Sequence, residues 1–269
     1  MNHLEDRVLL QHATQAVQAA GIAIKARFTG KPSVVTRQDI VETIALNDQL
    51  SLAILREALS TAHPSARWDD DESGAGPLPP GDWWVCDPVE GAINHVHGLP
   101  DWGVTATLVR DNRPLLTAVH VPMRGETYTA LSGAGAYLNG VRLHASAKTD
   151  LRAATVGTAQ ATPDEGSAIH RRIGRSVGAM LETALVVRVS VPSTLQLVNV
   201  AGGRQDLFWQ HSQVRSGLLA GALLVAEAGG SVTDLDGKPW DLGCDEFLAG
   251  APGLARSAAT VLAASRGTK

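Results

Sequence analysis

The chain has 269 residues, 44% hydrophobic and 19% charged, enough to bury a substantial core as one large domain or two close-set halves. Its formal net charge of −4 leaves no positive footprint for nucleic acid, and Arg171, Arg172 and Arg175 read as a solvated helix face. The opening MNHLEDRVLLQHATQ has no basic segment followed by an apolar one, and no apolar run reaches the roughly 18 residues of a membrane helix, so a soluble, cytoplasmic protein with no membrane partner is expected.

Leu4, Val8, Leu9, Ala13, Val17, Ala20 and Ile24 recur at helical spacing, predicting an amphipathic helix that Gly30-Lys31-Pro32 ends. A second helix is predicted from Asp48 to Ala62, with Leu50, Ile54, Leu55, Ala58 and Leu59 inward and Asn47 or Asp48 as its N-cap. Four consecutive acids, Asp69 to Glu72, then precede a Gly/Pro-rich loop. A chain keeps such charges together where water solvates them or a cation neutralises them.

Trp83-Trp84-Val85-Cys86 has the length of a buried strand and delivers Asp87 to its end, where Pro88 and Gly91 turn the backbone. Asp87 and Glu90 thus lie three positions apart (90 minus 87) on a tight turn, with the Val89 carbonyl between them. Converging hard oxygens are what Mg²⁺ or Ca²⁺ takes. His95 and His97 alternate at strand spacing; they and His120 read as packing or hydrogen-bonding residues. Cys86 and Cys244 form neither a disulfide framework nor a zinc spacing.

Two β-rich runs flank Asp111-Asn112-Arg113 as a hairpin, and a third leads from Gly125 through a glycine-rich stretch to Asn139-Gly140. A polar link near residues 145–150 marks the expected boundary between residues 1–146, which carry the acidic motifs, and residues 147–269. The second part alternates strands (153–157, 185–189, 205–209, 231–233) with helices (166–181, 194–203, 216–228), the pattern of helices packed on a sheet.

The run Asp87-Pro88-Val89-Glu90-Gly91-Ala92-Ile93-Asn94, with His97, Gly98 and Pro100, resembles the DPxDGTxNF signature of the inositol monophosphatase family of metal-dependent phosphatases. Asp71-Glu72-Ser73 resembles the family's upstream Glu-Glu-Ser element, residues 125–140 its G-E-x-Y-x-A to N-G strands, and the helix ending Glu227-Ala228-Gly229-Gly230 its late helix. The resemblance implies an α/β fold, a layered α-β-α-β-α sandwich with the acidic site in a cleft between the halves, and a homodimer. It implies Mg²⁺-dependent hydrolysis of a small phosphorylated metabolite: a sugar, cyclitol or nucleotide phosphomonoester. One or two Mg²⁺ ions would be held by Asp71, Asp87, Glu90 and the Val89 carbonyl. The catalytic set would be Asp48, Asp71, Asp87 and Glu90, with Asp48 orienting and deprotonating water, and Gly91, Ala92, Gln210 and Arg215 would contact substrate.

Several positions depart from the family's pattern. Asp71 and Glu90 exchange Glu and Asp, Ala92 lacks the Thr hydroxyl, and Gly217 stands where a metal-binding Asp follows Trp, so a second ion is short of a ligand. Gln210 replaces a frequent Glu, and Arg215 with His211 and Gln213 makes an acidic wall neutral to basic, able to hold a phosphate or carboxylate directly. Two readings follow. One is a phosphoric monoester hydrolase with a reduced metal site. The other is a family scaffold that has lost phosphatase activity and serves as a binding or regulatory protein, or uses its carboxylates for different acid–base chemistry.

Overall fold

Small side chains decide how closely the first helix lies on its sheet. Helix α1 (His3–Lys25) presents Ala13, Ala16, Val17 and Ala20, all buried, to the strands below it. The computed structural model describes residues 3–266 other than Ser33, Glu72, Ser73 and Pro163. Two compact units are present, one of residues 1–72 and 78–141, the other of residues 73–77 and 142–269.

The first unit combines α1 and α2 (Arg37–Ala62) with a sheet whose strand order follows the chain: β1 (Arg67–Trp68), β2 (Asp82–Glu90), β3 (Gly103–Arg110), β4 (Arg113–Val121), β5 (Glu126–Leu131), β6 (Gly135–Leu138) and β7 (Val141–Arg142). A short helix, α3 (Ala92–Val96), follows β2. Alternation along β3 sends Val104, Ala106 and Leu108 into the core with Trp84, Leu55 and Leu59. Thr105 and Thr107 on the other face are buried as well, and Thr107 shares a 2.8 Å hydroxyl contact with Thr117 of β4. The predicted hairpin turn forms at Asp111 and Asn112, both at positive φ (50° and 64°), the geometry that suits a two-residue connection.

In the second unit the sheet order is β11 (Ser231–Thr233), β12 (Phe247–Gly250), β10 (Leu207–Gln210), β8 (Thr155–Thr158) and β9 (Val186–Val189). Helices α4 (Ser167–Leu181), α5 (Ser193–Ala201), α6 (Arg215–Glu227) and α7 (Pro252–Ser265) complete it. Met180, Trp209, Leu248, Leu254 and Leu262 lie in one core cluster. α6 is buried on nearly every face, which explains its almost unbroken apolar sequence. No described helix is long and apolar enough to cross a membrane.

Each unit contains a strongly held carboxylate. Arg110 forks onto Asp82 (Nε to Oδ1 and Nη2 to Oδ2, both 2.9 Å), and these bonds hold Asp82 below the usual carboxylate range despite its burial. At Asp206 burial pushes upward, but the Lys148 ammonium (2.8 Å), the Ser146 hydroxyl and the Thr155 N–H (2.7 Å) outweigh it and the net shift is down. A depressed folded-state pKa stabilises above the unfolded value of about 3.9 and is lost as pH falls through the folded value. The contribution of these two carboxylates is therefore expected to be flat above about pH 5 and to decline below about pH 4. In Asp82→Asn and Asp206→Asn the acid decline is shallower and the neutral-pH stability lower; an acid decline as steep as wild type in both would refute the assignment.

Candidate active site

Helix α2 starts well before the position expected from the sequence. Thr36 Oγ1 accepts the Asp39 N–H (3.1 Å) and Asp39 Oδ2 accepts the Thr36 N–H (2.9 Å), a capping box that opens the helix at Arg37. Asn47 and Asp48 therefore lie inside the helix, which corrects their reading as N-cap. Val41 and Leu46, 53% and 56% exposed, blur the apolar stripe over that first stretch and conceal the helical period.

The interior placement has a use. Asn47 and Ser51, four positions apart (51 minus 47), face the same way and are buried. Ser51 Oγ donates to the Pro88 carbonyl at 2.6 Å, and Asn47 Nδ2 lies 3.3 Å from His95 Nδ1. One face of α2 thus grips the acidic motif on both sides of Gly91. Polar residues at that spacing within an apolar stripe are the signal that would have found them.

Strand β2 continues through Pro88 to Glu90, where the sequence suggested an earlier turn. Asp87 pairs with Thr105 and Glu90 with Gly103, so three steps on β2 (90 minus 87) oppose two on β3 (105 minus 103). This bulge accommodates the proline and re-aims the side chains between its ends. The turn itself falls at Gly91, at φ 85°, a left-handed conformation that a glycine adopts without strain. Ala92 begins α3 and packs with Ile24, Val89 and Trp102. His95 lies within α3 and His97 at its end, not on a strand; His97 Nδ1 is 2.7 Å from the Ile93 carbonyl. His120 is on β4 as expected, 3.0 Å from Thr127 Oγ1.

Asp87 and Glu90 are both buried, at 8% and 5% exposure. Asp87 Oδ1 accepts the Val89 N–H at 3.1 Å, while the Asp87 backbone N–H donates to Thr105 Oγ1 at 3.1 Å, so one bond orients the carboxylate and the other fixes the backbone that carries it. Oδ1 of Asp48 is shielded from solvent. Asp71 is exposed, its N–H near Asp69 Oδ1 (3.4 Å), and Glu72 lies outside the described residues. Among the described residues no group of three or more His, Cys, Asp or Glu side chains is placed to hold a metal ion. The donors beside the bulge are nevertheless hard oxygens, and Mg²⁺ is commonly held by one or two carboxylates with water and phosphate completing its shell. Their chemistry fits that ion.

In the second unit Gln210 is fully engaged. Its Oε1 accepts from Ser193 Oγ at 2.6 Å and its Nε2 donates to the Ser212 carbonyl at 2.7 Å. Arg215, 6% exposed, sends its N–H to the Gly74 carbonyl (2.9 Å) and Nη1 to the carbonyls of Ala75 and Gly76. The cation that the sequence offered as an anion holder thus clasps a backbone segment. Gly217 is the third residue of α6, and a Cβ built on it meets nothing within 4 Å. His211, buried, places Nδ1 3.0 Å from Glu246 Oε1; Glu246 also pairs with Arg266. Burial works to raise Glu246, yet His211, Arg266 and Arg172 hold it below its usual range.

Comparison with known proteins converges on one group. The model of the inositol monophosphatase family matches residues 5–268. Inositol-1-monophosphatase of Rhizobium meliloti is 31% identical over 239 residues, covering 87% of this chain and 89% of the relative. Inositol monophosphatase 2 of Solanum lycopersicum is 30% identical over 239 residues, covering 86% and 88%. A protein named Nus factor SuhB, of Pseudomonas aeruginosa, is 32% identical over 235 residues, covering 86% of each. Among solved structures, the inositol monophosphatase from Anabaena superposes with a TM-score of 0.79 at 24% identity over 96% of both chains, which establishes the shared fold. With the match running almost from end to end, and with two sheets and seven α-helices among the described residues in the same fold, the chain belongs to the inositol monophosphatase family.

Proposed function

We propose that the chain is a Mg²⁺-dependent phosphomonoesterase acting on a small phosphorylated sugar, cyclitol or nucleotide. The observation that carries this reading is the buried pair Asp87 and Glu90 at the two ends of a β-bulge, with the Pro88 carbonyl between them pinned by Ser51. Charges that far from solvent are costly without compensation. Mg²⁺, when bound, neutralises phosphoryl oxygen charge and lowers the pKa of water. Asp87, Glu90, the Val89 carbonyl and Asp71 are the residues to hold it. Asp48, on the helix that grips this turn, is the group to take the proton of the attacking water. Ala92 supplies no hydroxyl, so orienting that water rests on the carboxylates. Gly91 and Ala92 border the phosphoryl group; Gln210 and Arg215 are the further substrate contacts of this reading, each already holding the partners described above. A cytoplasmic homodimer completes the reading.

A second reading is favoured by the name Nus factor given to the P. aeruginosa relative and by the absent Thr hydroxyl and Asp carboxylate at Ala92 and Gly217. In it the scaffold serves a partner instead of hydrolysing an ester, and the expectation of no nucleic-acid partner is open to test. The two are separated by phosphate release from a panel of phosphomonoesters with Mg²⁺ and again after chelation. The hydrolase reading expects turnover of at least one member, abolished by the chelator. A silent panel at millimolar Mg²⁺, together with turnover acquired by Ala92→Thr combined with Gly217→Asp, favours the second reading; the open space around Gly217 accepts that side chain.

A further inference from the structure

Between the end of α1, the middle of α2 and α3 lies a cleft of about 360 Å³ lined by Arg27, Thr29, Thr43, Asn47 and His95. Among the described residues its lining contains a guanidinium, an imidazole, an amide and two hydroxyls, and no carboxylate. The hydrogen bonds along it run in one consistent direction. His95 Nε2 lies 3.3 Å from the Ile24 carbonyl, which only accepts, so Nε2 carries the proton and Nδ1 is an acceptor. Asn47 Nδ2 donates to that Nδ1 (3.3 Å), leaving Asn47 Oδ1 to accept from Arg27 Nε at 2.6 Å. Phe28 and Trp102 hold the imidazole by edge contacts, with centroids 5.4 and 4.9 Å away. Burial first, and then the Arg27 charge, lower the His95 pKa, consistent with a neutral ring in this relay.

The consequence is a cation aimed in advance. Arg27 is exposed, spends its Nε–H on the buried relay, and makes no ion pair among the described residues. Its terminal NH₂ groups remain available as a planar fork suited to an oxyanion. Thr29 stands beside it, its Oγ1 donating to the Lys31 carbonyl at 2.9 Å, in a loop seated closely on Gly98, where an added Cβ would come within 2.6 Å of Lys31 N and 2.8 Å of Gly30 C. Thr43 contributes a hydroxyl to the lining. Ordering of the guanidinium, a cost usually met on binding, is already met by the fold.

We propose that this cleft binds an oxyanion, the phosphate or carboxylate group of a small metabolite, through Arg27 with the hydroxyl of Thr43. Its chemistry is the reverse of the Asp87–Glu90 turn, and it does not rest on the hydrolase reading. The volume exceeds that of a bare ion and lies in the range of small-molecule sites.

The test is calorimetric titration of the full chain, stripped of metal with a chelator, with inorganic phosphate in one arm and acetate in another. Binding in either arm identifies the source of the oxyanion. Arg27→Gln is expected to weaken it by about tenfold or more, whereas Asp87→Asn leaves it within about twofold. Thr43→Val provides a second variant, expected to weaken binding about threefold through one lost hydrogen bond. No binding of either anion up to about 50 mM, a limit weaker than any useful affinity, overturns the proposal. So does Arg27→Gln binding as wild type, or Asp87→Asn binding many-fold more tightly, which would put the anion at the acidic turn, where the lost carboxylate had repelled it.

Discussion

Asp87→Asn is expected to lower Mg²⁺-dependent phosphate release by roughly a thousandfold or more, about 4 kcal/mol of transition-state stabilisation, the size of effect a displaced metal gives. The change is nearly isosteric. The amide oxygen of the variant side chain still accepts the Val89 N–H, and the backbone N–H at position 87 still donates to Thr105 Oγ1, so the bulge keeps its shape. What disappears is the buried negative charge. Without metal the variant should melt close to wild type, since Asn fills the same space and keeps the Val89 N–H bond. Added Mg²⁺ should raise the wild-type melting temperature and leave the variant's unchanged. The combination separates a metal role from a structural one. A variant that loses activity and also melts far lower would make Asp87 a structural residue, and one retaining activity would refute its part in the site.

Gly221→Ala is expected to give a large stability loss for so small a change. A Cβ at position 221 would overlap Cβ, Cγ and Cδ1 of Leu197, and Leu197 Cβ is fixed by the backbone of α5. The two helices must then separate, at a cost of about 2–3 kcal/mol for overpacking, or roughly 5–10 °C in melting temperature for a chain of this size. Gly217→Ala, four residues earlier in the same helix (221 minus 217), is the control. Nothing lies within 4 Å of a Cβ there, and replacing glycine in a helix gains about 0.5–1 kcal/mol. Opposite signs from one substitution in one helix would show that close approach of α5 and α6, not helix propensity, governs position 221. Equal shifts would contradict the packing described.

Local chemistry explains what was readable in advance. The Asp111-Asn112 hairpin is written in residues that tolerate positive φ, and α6 in a nearly unbroken apolar run, so both are legible. The start of α2 was not, because its signal is a capping box, Thr36 with Asp39, followed by residues whose apolar side chains face solvent. The strand β12 and helix α7 escaped notice because Phe247 to Gly250 is short and lies between Leu207–Gln210 and Ser231–Thr233 only through tertiary pairing. The acidic motif was legible as a motif. Its bulge was not, since the registers of Asp87 and Glu90 depend on a partner strand more than ten residues away in sequence. Arg215 was visible as a charge, but its occupation by the carbonyls of Ala75 and Gly76 comes from a segment well over a hundred residues upstream.

That upstream segment also governs how the chain can be divided. Residues 73–77 interrupt the sequence of the first unit yet group with the second, where Arg215 fastens onto their carbonyls. A gene cut between Val141 and Arg142 would separate what the structure joins: the downstream fragment would lose the Ala75 and Gly76 carbonyls that its buried guanidinium holds, and the upstream one would carry a loop without the arginine that fastens it. Exchange of these units between relatives as cassettes, or their production as a split pair, has to carry the five-residue insert with the half it serves and not with the half that encodes it.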